Sequence, residues 1–394
     1  MQSKRIKRII YLSRQALDLR NAARFGIELF QRQGYKVEYW DATSVLHPEV
    51  YKNYQPVDSV DYAGTKVFHN MEELYRQLEI LNDDTMVIDL VDFNYKFIEV
   101  YRSLSRSKAD YTVIMANALP YQKKRRGTHQ YFRDIFRKAK KLLMPSIWLY
   151  RVILPHLPFQ WFGIKPAKFL MAGGKSSIQM YKFPVDRNTE ILWAHAFDYD
   201  LYLKEISNND CNVTSTAVFL DQFYPFNPDD LYLGIISGIN YEKYFSHINL
   251  FFDMVEKELG LEVIIAAHPR SDYENRPDYF KGRRCIKGNT IRLVRESRLI
   301  LLHNSTAVNY ANLFNKPMIF MTFSGLTEAD ASTLEAIAEL HGKQPVFFYS
   351  SMNIDWNQEL EVNQECYQYY REEFIKTKKS AELPFWQILA DKLV

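Results

Sequence analysis

Two groups of polar residues each follow a short apolar run, and both groups are suited to binding an anion. The run Val263–Ala267 leads into His268-Pro269-Arg270. The run Leu299–Leu302 leads into His303-Asn304-Ser305-Thr306, after which helical spacing begins. Open α/β sheets bind ligands at the carboxyl ends of their strands, and a helix N-terminus favours a phosphate. The segment 263–322 therefore predicts a nucleotide-phosphate site.

Each group also has a plainer interpretation. Proline makes a turn rigid and Arg270 offers a planar fork of donors, but His268 could equally cap a turn beside a surface arginine. Ser305 and Thr306 could form an ordinary helix cap. A plain cap explains neither the adjacent His303 nor the matching turn 35 residues earlier. The pairing favours joint anion binding.

Carboxylates and histidines at strand ends are the candidates for acid–base chemistry. Transfer to a hydroxyl needs a carboxylate or a histidine that accepts the proton of the hydroxyl. Asp198 and Asp200 are predicted to point to the same side of an extended chain, opposite His195; alternatively they cap a helix at 201–206. Too few ligands are assured for a metal, and we expect none. The catalytic candidates are Asp92, Asp198, Asp200 and His268, with Asp221 as a further strand-end carboxylate.

Two smaller features allow two interpretations each. Arg14, at the end of the first predicted strand, could hold a carboxylate or phosphate of a second substrate, or it could be a surface arginine. Gly173-Gly174 lacks the spacing of a Walker motif. It is predicted to form a tight strand-to-helix turn, with a phosphate loop as the alternative.

The elements that must position these residues alternate between strand and helix. Such alternation predicts parallel sheets with right-handed crossovers, although no G-x-G-x-x-G follows the first strand. We predict an α/β fold with two Rossmann-like domains that face a cleft, and C-terminal helices that cross back. We predict that the first domain covers residues 1–185 and contains an insertion at 121–166. The second domain is predicted to cover residues 186–355, and the C-terminal helices residues 356–394. Predicted strands include 8–12, 36–40, 86–90, 111–115, 168–172, 191–194, 217–220 and 318–322, and predicted helices include 19–33, 94–106, 240–259 and 328–340.

The order strand, His-Pro, strand, Ser-Thr, helix, Lys-Pro, strand resembles the C-terminal half of bacterial GT-B glycosyltransferases that use CMP-activated sugars. These include the sialyltransferases and the Kdo transferases of capsule and lipopolysaccharide assembly. The resemblance covers about 60 residues. It implies that His268, Pro269, Ser305 and Thr306 contact the nucleotide. Asn304 and the histidine before the hydroxyl pair depart from the pattern, and the acidic motif of the sialyltransferases is absent.

The resemblance implies a glycosyltransferase that moves a 2-keto-3-deoxy sugar acid, such as Kdo or a nonulosonic acid, from a CMP-activated donor to a surface glycan. It also implies catalysis without a metal, so that His268, Arg270 and His303 would neutralise the leaving CMP. The donor would bind the C-terminal half and the acceptor the N-terminal half. The alternatives are a CDP-glycerol-type phosphotransferase and a non-catalytic nucleotide-binding subunit of a polysaccharide assembly complex.

Residues 123–151 carry ten basic residues and one acid, a local charge of +9 in a chain of net charge +3. With the proline-punctuated aromatics that follow, this segment predicts a membrane-surface region over 121–166. The alternative is an ordinary solvated basic helix. No nucleic-acid module accompanies the segment, so we expect no nucleic-acid partner. Three cysteines without a CxxC pair fit a reducing compartment, and we expect a cytoplasmic protein on the inner face of the membrane.

Overall fold

The computed structural model describes residues 5–53, 58–116, 118–120, 157–179, 184–208, 210, 212–224, 226, 238–348 and 354–393. These residues build two parallel sheets. The first has the order β3-β2-β1-β4-β5-β6-β7. Its strands are β1 Arg8–Ser13, β2 Lys36–Asp41, β3 Thr65–Val67, β4 Thr85–Leu90, β5 Asp110–Met115, β6 Phe169–Ala172 and β7 Glu190–Trp193.

The second sheet has the order β10-β9-β8-β11-β12-β13. In both sheets the central strands are nearly continuous apolar runs, because helices or loops cover both faces and most of the side chains are buried. Each sheet accordingly separates two clusters of buried apolar residues. The strands are β8 Thr216–Leu220, β9 Glu262–Ala266, β10 Cys285–Ile286, β11 Leu299–Leu302, β12 Met318–Thr322 and β13 Val346–Phe347.

Strand order reverses between β1 and β4 in the first sheet and between β8 and β11 in the second. Crevices form at such reversals, at the carboxyl ends of the strands. The predicted α/β fold with two Rossmann-like domains is confirmed. The predicted division at residue 185 stays a prediction; by sheet membership, Glu190–Trp193 still belongs to the first domain.

The helices cover the sheets. Residues 19–33 form two helices rather than the single one predicted, because Gly26 takes a left-handed φ of 63° and Trp386 packs directly against it. The helices are α1 Leu19–Arg24, α2 Ile27–Arg32, α3 Thr43–Leu46, α4 Pro48–Asn53, α5 Met71–Glu79, α6 Ile98–Arg106, α7 Phe197–Ser207, α8 Tyr241–Leu259, α9 Thr290–Glu296, α10 Val308–Leu313, α11 Glu328–Leu340, α12 Trp356–Leu360, α13 Gln364–Tyr370 and α14 Phe385–Ala390.

The chain crosses back to the first domain at its C-terminal end, as predicted. In α14, Phe385, Trp386 and Leu389 are fully or nearly fully buried in the core of the first domain. The indole Nε1 of Trp386 donates to the carbonyl of Arg24 at 2.7 Å. The C-terminal end of the chain therefore packs on the first domain.

The glycine pair after β6 serves a close approach of two backbones. A Cβ on Gly174 would lie 2.2 Å from the backbone of Glu373. Lys175 pairs with Glu372, and the Ser176 hydroxyl donates to Glu373. These contacts support the predicted tight turn. They do not favour the phosphate-loop alternative, because Lys175 and Ser176, which would bind the phosphate, contact glutamates instead.

Candidate functional site

A cavity of about 600 Å³ lies between the two domains. One wall is formed by the carboxyl ends of β8, β9 and β11. The other wall is formed by the loop after β1 and by α1. We call this space the interdomain cavity. Its walls include Gln15, Asp18, Arg20, Arg24, Asp198, Asp221, His268, Pro269, Arg270, Asn304, Ser305, Thr306 and Tyr310.

The His-Pro turn is held at three points. The amide of His268 donates to Asp221 Oδ2 at 3.1 Å, and the Arg270 amide donates to His268 Nδ1 at 3.2 Å. The imidazole also stacks on Phe223, with ring centroids 6.2 Å apart and planes 8° apart. Because Nδ1 accepts a hydrogen bond, the proton of the neutral ring lies on Nε2. The ring can therefore present a donor in a fixed direction.

Asp221 holds the backbone of this wall in place through hydrogen bonds. It lies directly after β8 and is buried, and burial raises the pKa of its carboxyl to about 6. It accepts hydrogen bonds from the amides of His268 and Phe223. Asp221 therefore links the ends of β8 and β9. Its hydrogen bonds indicate that it positions the His268 turn.

The hydroxyl pair after β11 lines the cavity, but no helix begins there. The six-residue α10 starts at Val308, one residue after the position at which helical spacing was predicted to begin. Ser305 Oγ accepts from the Ala307 amide at 3.2 Å, and the Thr306 side chain is exposed. Asn304 is tied to Tyr224 and Asp330. This strand end offers hydroxyls to a ligand, not the N-terminus of a long helix.

His303 is placed differently from the prediction. It is fully buried, its Nδ1 donates to the Met321 carbonyl at 2.5 Å, and its Nε2 accepts from the Tyr244 hydroxyl at 3.1 Å. Burial lowers the pKa of its imidazole to about 4. A neutral core histidine cannot neutralise a leaving phosphate, so that expectation is corrected.

Asp198 and Asp200 do not face the same side, because α7 begins at Phe197 and residues two apart on a helix diverge. Asp198 lines the interdomain cavity. It accepts from Asn309 at 3.0 Å and from the Tyr310 hydroxyl at 3.1 Å, and lies 3.6 Å from Arg24.

Asp200 points away from the cavity. Its carboxylate accepts from the Phe385 amide at 3.0 Å and lies 3.5 Å from His195 Nε2. It caps the returning helix α14. Its place in the catalytic set is therefore not supported by its position.

A second recess of about 430 Å³ lies at the carboxyl ends of β1, β4 and β5. Asp92 stands at its edge, 66% exposed, and pairs with Arg14 at 2.7 Å. Beneath it, Asp89 is buried and accepts from the Tyr101 hydroxyl at 2.7 Å, and burial raises the pKa of its carboxyl to about 7. We call this space the β1/β4 recess. It shares Gln15, Arg20 and Arg24 with the interdomain cavity.

Sequence reasoning missed Arg20, Arg24 and Asp89. Arg20 and Arg24 are four residues apart in the helix that follows β1, so they share the face directed at the cleft. That spacing was a usable signal. Asp89 had none, because it lies inside an apolar run that reads as a buried strand.

Within the described part of the chain, no three His, Cys, Asp or Glu side chains are grouped closely enough to hold a metal ion. None of the helices in that same part has the length and apolarity needed to cross a membrane. Most of the predicted membrane-surface region, residues 121–156, lies outside the described residues.

No protein-family model and no curated protein was found to match this chain. Among solved structures, the S. aureus MnaA–UDP co-structure is 11% identical, covers 99% of this chain and 98% of its own, and has a TM-score of 0.47. The wall teichoic acid polymerase TagF is 13% identical, with coverages of 98% and 88% and a TM-score of 0.48. The UDP-GlcNAc 2-epimerase of Methanocaldococcus jannaschii is 12% identical, with coverages of 98% and 99% and a TM-score of 0.46.

Proposed function

We propose that the protein is a GT-B glycosyltransferase that uses a CMP-activated sugar. One observation carries the proposal: the ends of β9 and β11, which lie on either side of β8 in the second sheet, bring His268, Arg270, Ser305 and Thr306 to one wall of the interdomain cavity. Its volume of about 600 Å³ is within the range of small-ligand sites, roughly 300–1,000 Å³. The cavity is therefore large enough for a nucleotide with its sugar.

The donor phosphate would lie against this wall. The Arg270 guanidinium and the Nε2–H of His268 would hydrogen-bond its oxygens, and the two hydroxyls would add neutral donors. Arg20 and Arg24 approach from the opposite wall. Such fixed positive groups stabilise the charge that develops on a leaving phosphate, because they need no rearrangement as the bond breaks.

We assign the general base to Asp92. A base must lie within hydrogen-bond reach of the hydroxyl that it deprotonates. Asp92 is exposed at the β1/β4 recess, on the side from which an acceptor would approach. Asp198 already accepts two hydrogen bonds and faces Arg24, so its carboxylate oxygens are engaged by the protein itself.

The donor class can be tested with a thermal-shift panel of CMP, CDP, UDP and GDP. A ligand that binds only the folded state stabilises it by RT ln(1 + [L]/Kd), so the shifts rank the affinities. We expect the largest shift with CMP. A selective CDP shift would favour the CDP-glycerol alternative, and a selective UDP or GDP shift would contradict the proposed donor.

The base assignment can be tested with Asp92→Asn, which keeps the shape and removes the charge. We expect the CMP shift to persist while transfer from a CMP-activated 2-keto-3-deoxy sugar to a membrane glycan extract falls by about 10²-fold or more. The matched variant Asp61→Asn changes an exposed carboxyl elsewhere on the first domain. Unchanged transfer by Asp92→Asn would overturn the assignment.

We further propose peripheral membrane binding through residues 121–166. The support is the local charge of +9 together with Trp161, which is 74% exposed at the end of that segment. Replacing Lys123, Lys124, Arg125 and Arg126 by glutamine should weaken co-sedimentation with anionic liposomes. Replacing Arg102 and Arg106, two arginines outside this segment, by glutamine should not weaken co-sedimentation. An equal loss of co-sedimentation in both sets of variants would contradict the proposal.

A further inference from the structure

The β1/β4 recess carries more positive groups than a neutral acceptor needs. The guanidiniums of Arg14, Arg20 and Arg24 line it, against the carboxyls of Asp89 and Asp92. Asp89 is buried, and its raised pKa of about 7 leaves it partly protonated near neutral pH. The recess therefore carries a net positive charge. It also opens at the strand-order reversal of the first sheet, which is where a substrate is expected to bind.

The ion pair between Arg14 and Asp92 can be broken at little cost in free energy. The side chains are 37% and 66% exposed, and ion pairs with such exposure contribute little to stability. A ligand anion that enters the recess can therefore take the place of Asp92 at the Arg14 guanidinium. Arg24 is committed more firmly, since it lies near the buried Asp198 and over the Phe197 ring.

The backbone at Asp92 is a second, independent observation. Its φ is +62°, in the left-handed region, which is uncommon for residues other than glycine and which Asp, Asn and His adopt more often than the rest. Such conformations persist where the surroundings impose them, and they cluster at active sites and ligand clamps. Asp92 is the second residue after the end of β4, and it lines the β1/β4 recess.

We propose, on the premise of the transferase function above, that the acceptor carries a carboxylate or phosphate which binds Arg14 in the β1/β4 recess and displaces Asp92. The released carboxylate then accepts the proton of the acceptor hydroxyl. That oxygen forms the new bond to the anomeric carbon of the sugar, the bond from this carbon to the CMP phosphate breaks, and its electron pair leaves with CMP. Acceptor binding and base activation are thus one event.

The inference can be tested by calorimetric titration of the CMP-saturated protein with three probes. N-acetylneuraminic acid supplies a sugar carboxylate, glucose 6-phosphate supplies a sugar phosphate, and glucose is the neutral control. We expect at least one anionic probe to bind about tenfold or more tightly than glucose, since hydrogen bonds to a charged group are among the stronger ones. The anion that is preferred identifies the acceptor chemistry.

Variants separate this recess from the donor site. Arg14→Ala should abolish the preference for the anion. Arg102→Ala, which removes a partly exposed arginine of the same domain paired with Glu99, should preserve it. So should Arg270→Ala, measured at a CMP concentration raised to restore saturation. An anion preference that survives in Arg14→Ala, or no preference over glucose in the wild type, would overturn the inference.

The two proposals fail differently. A selective CMP shift without an anion preference leaves the transferase proposal standing and removes the anionic acceptor. No nucleotide shift, together with Arg14-dependent anion binding measured without CMP, removes the transferase proposal and keeps the recess as an anion site.

Discussion

Asp198 and Asp200 are two residues apart and serve opposite sides of one helix. Asp198 faces the interdomain cavity, whereas Asp200 caps the helix that returns from the C-terminal end. Both ring nitrogens of the neighbouring His195 lie within 3.0 Å of carbonyl oxygens, one of them on Leu383. These two contacts hold the imidazole in place, with its Nε2 3.5 Å from the Asp200 carboxylate.

Asp200→Ala should therefore act on stability. It leaves the Phe385 amide without its carboxylate acceptor, which we expect to lower the free energy of unfolding by about 1–3 kcal/mol. Denaturant titration measures this change, with the exposed Asp61→Ala as control. Wild-type stability combined with lost transfer would instead restore Asp200 to the catalytic set.

His303 predicts a pH effect. Its folded-state pKa of about 4 lies below the usual 6.5, so the unfolded chain binds a proton that the folded chain does not. Its contribution to stability is complete above pH 6.5 and is lost as the pH falls towards 4. Between pH 7 and 4.5 the stability difference between wild type and His303→Phe should shrink by about 2 kcal/mol. A difference that stays constant with pH would show that His303 is not held neutral.

At the scale of elements, the close approach after β6 makes a sharp prediction. Gly174→Ala places a Cβ 2.2 Å from the Glu373 backbone, so the turn or the C-terminal segment must move. We expect a loss of about 3 kcal/mol or more in the free energy of unfolding. Gly238→Ala, which meets no atom within 4 Å, should change it by about 0.5 kcal/mol or less. Similar losses in both variants would contradict this packing.

Elements with strong local patterns could be predicted from the sequence, and elements set by distant contacts could not. The helix Glu328–Leu340 was predicted at its observed bounds, and Tyr241–Leu259 within one residue, because their periodicity and caps are local. The break at Gly26 depends on Trp386, 360 residues away along the chain. The helix α7 starts at Phe197, four residues before the predicted helix, and therefore includes Asp198 and Asp200. Their side chains point in different directions for this reason, and not to the same side as predicted.

At the scale of the molecule, strand order explains why the sequence located the cleft but not its full lining. Strand ends of parallel sheets gather at one edge, so His268, Arg270 and the hydroxyl pair could be placed together in advance. His303 could not be separated from them, because one residue decides whether a side chain at a strand end faces the core or the ligand. The opposite wall, with Arg20 and Arg24, depends on how the domains face each other.

The whole arrangement depends on whether a nucleotide binds the second-sheet wall. The most direct test is calorimetric titration of CMP into the wild type, Arg270→Ala and Arg284→Ala. Arg284 is an exposed arginine paired with Glu262 at the opposite end of β9, which makes it the matched control. We predict that Arg270→Ala weakens CMP binding about tenfold or more while Arg284→Ala leaves it unchanged. Absence of CMP binding by the wild type, or equal affinity in Arg270→Ala, would contradict the proposed donor site.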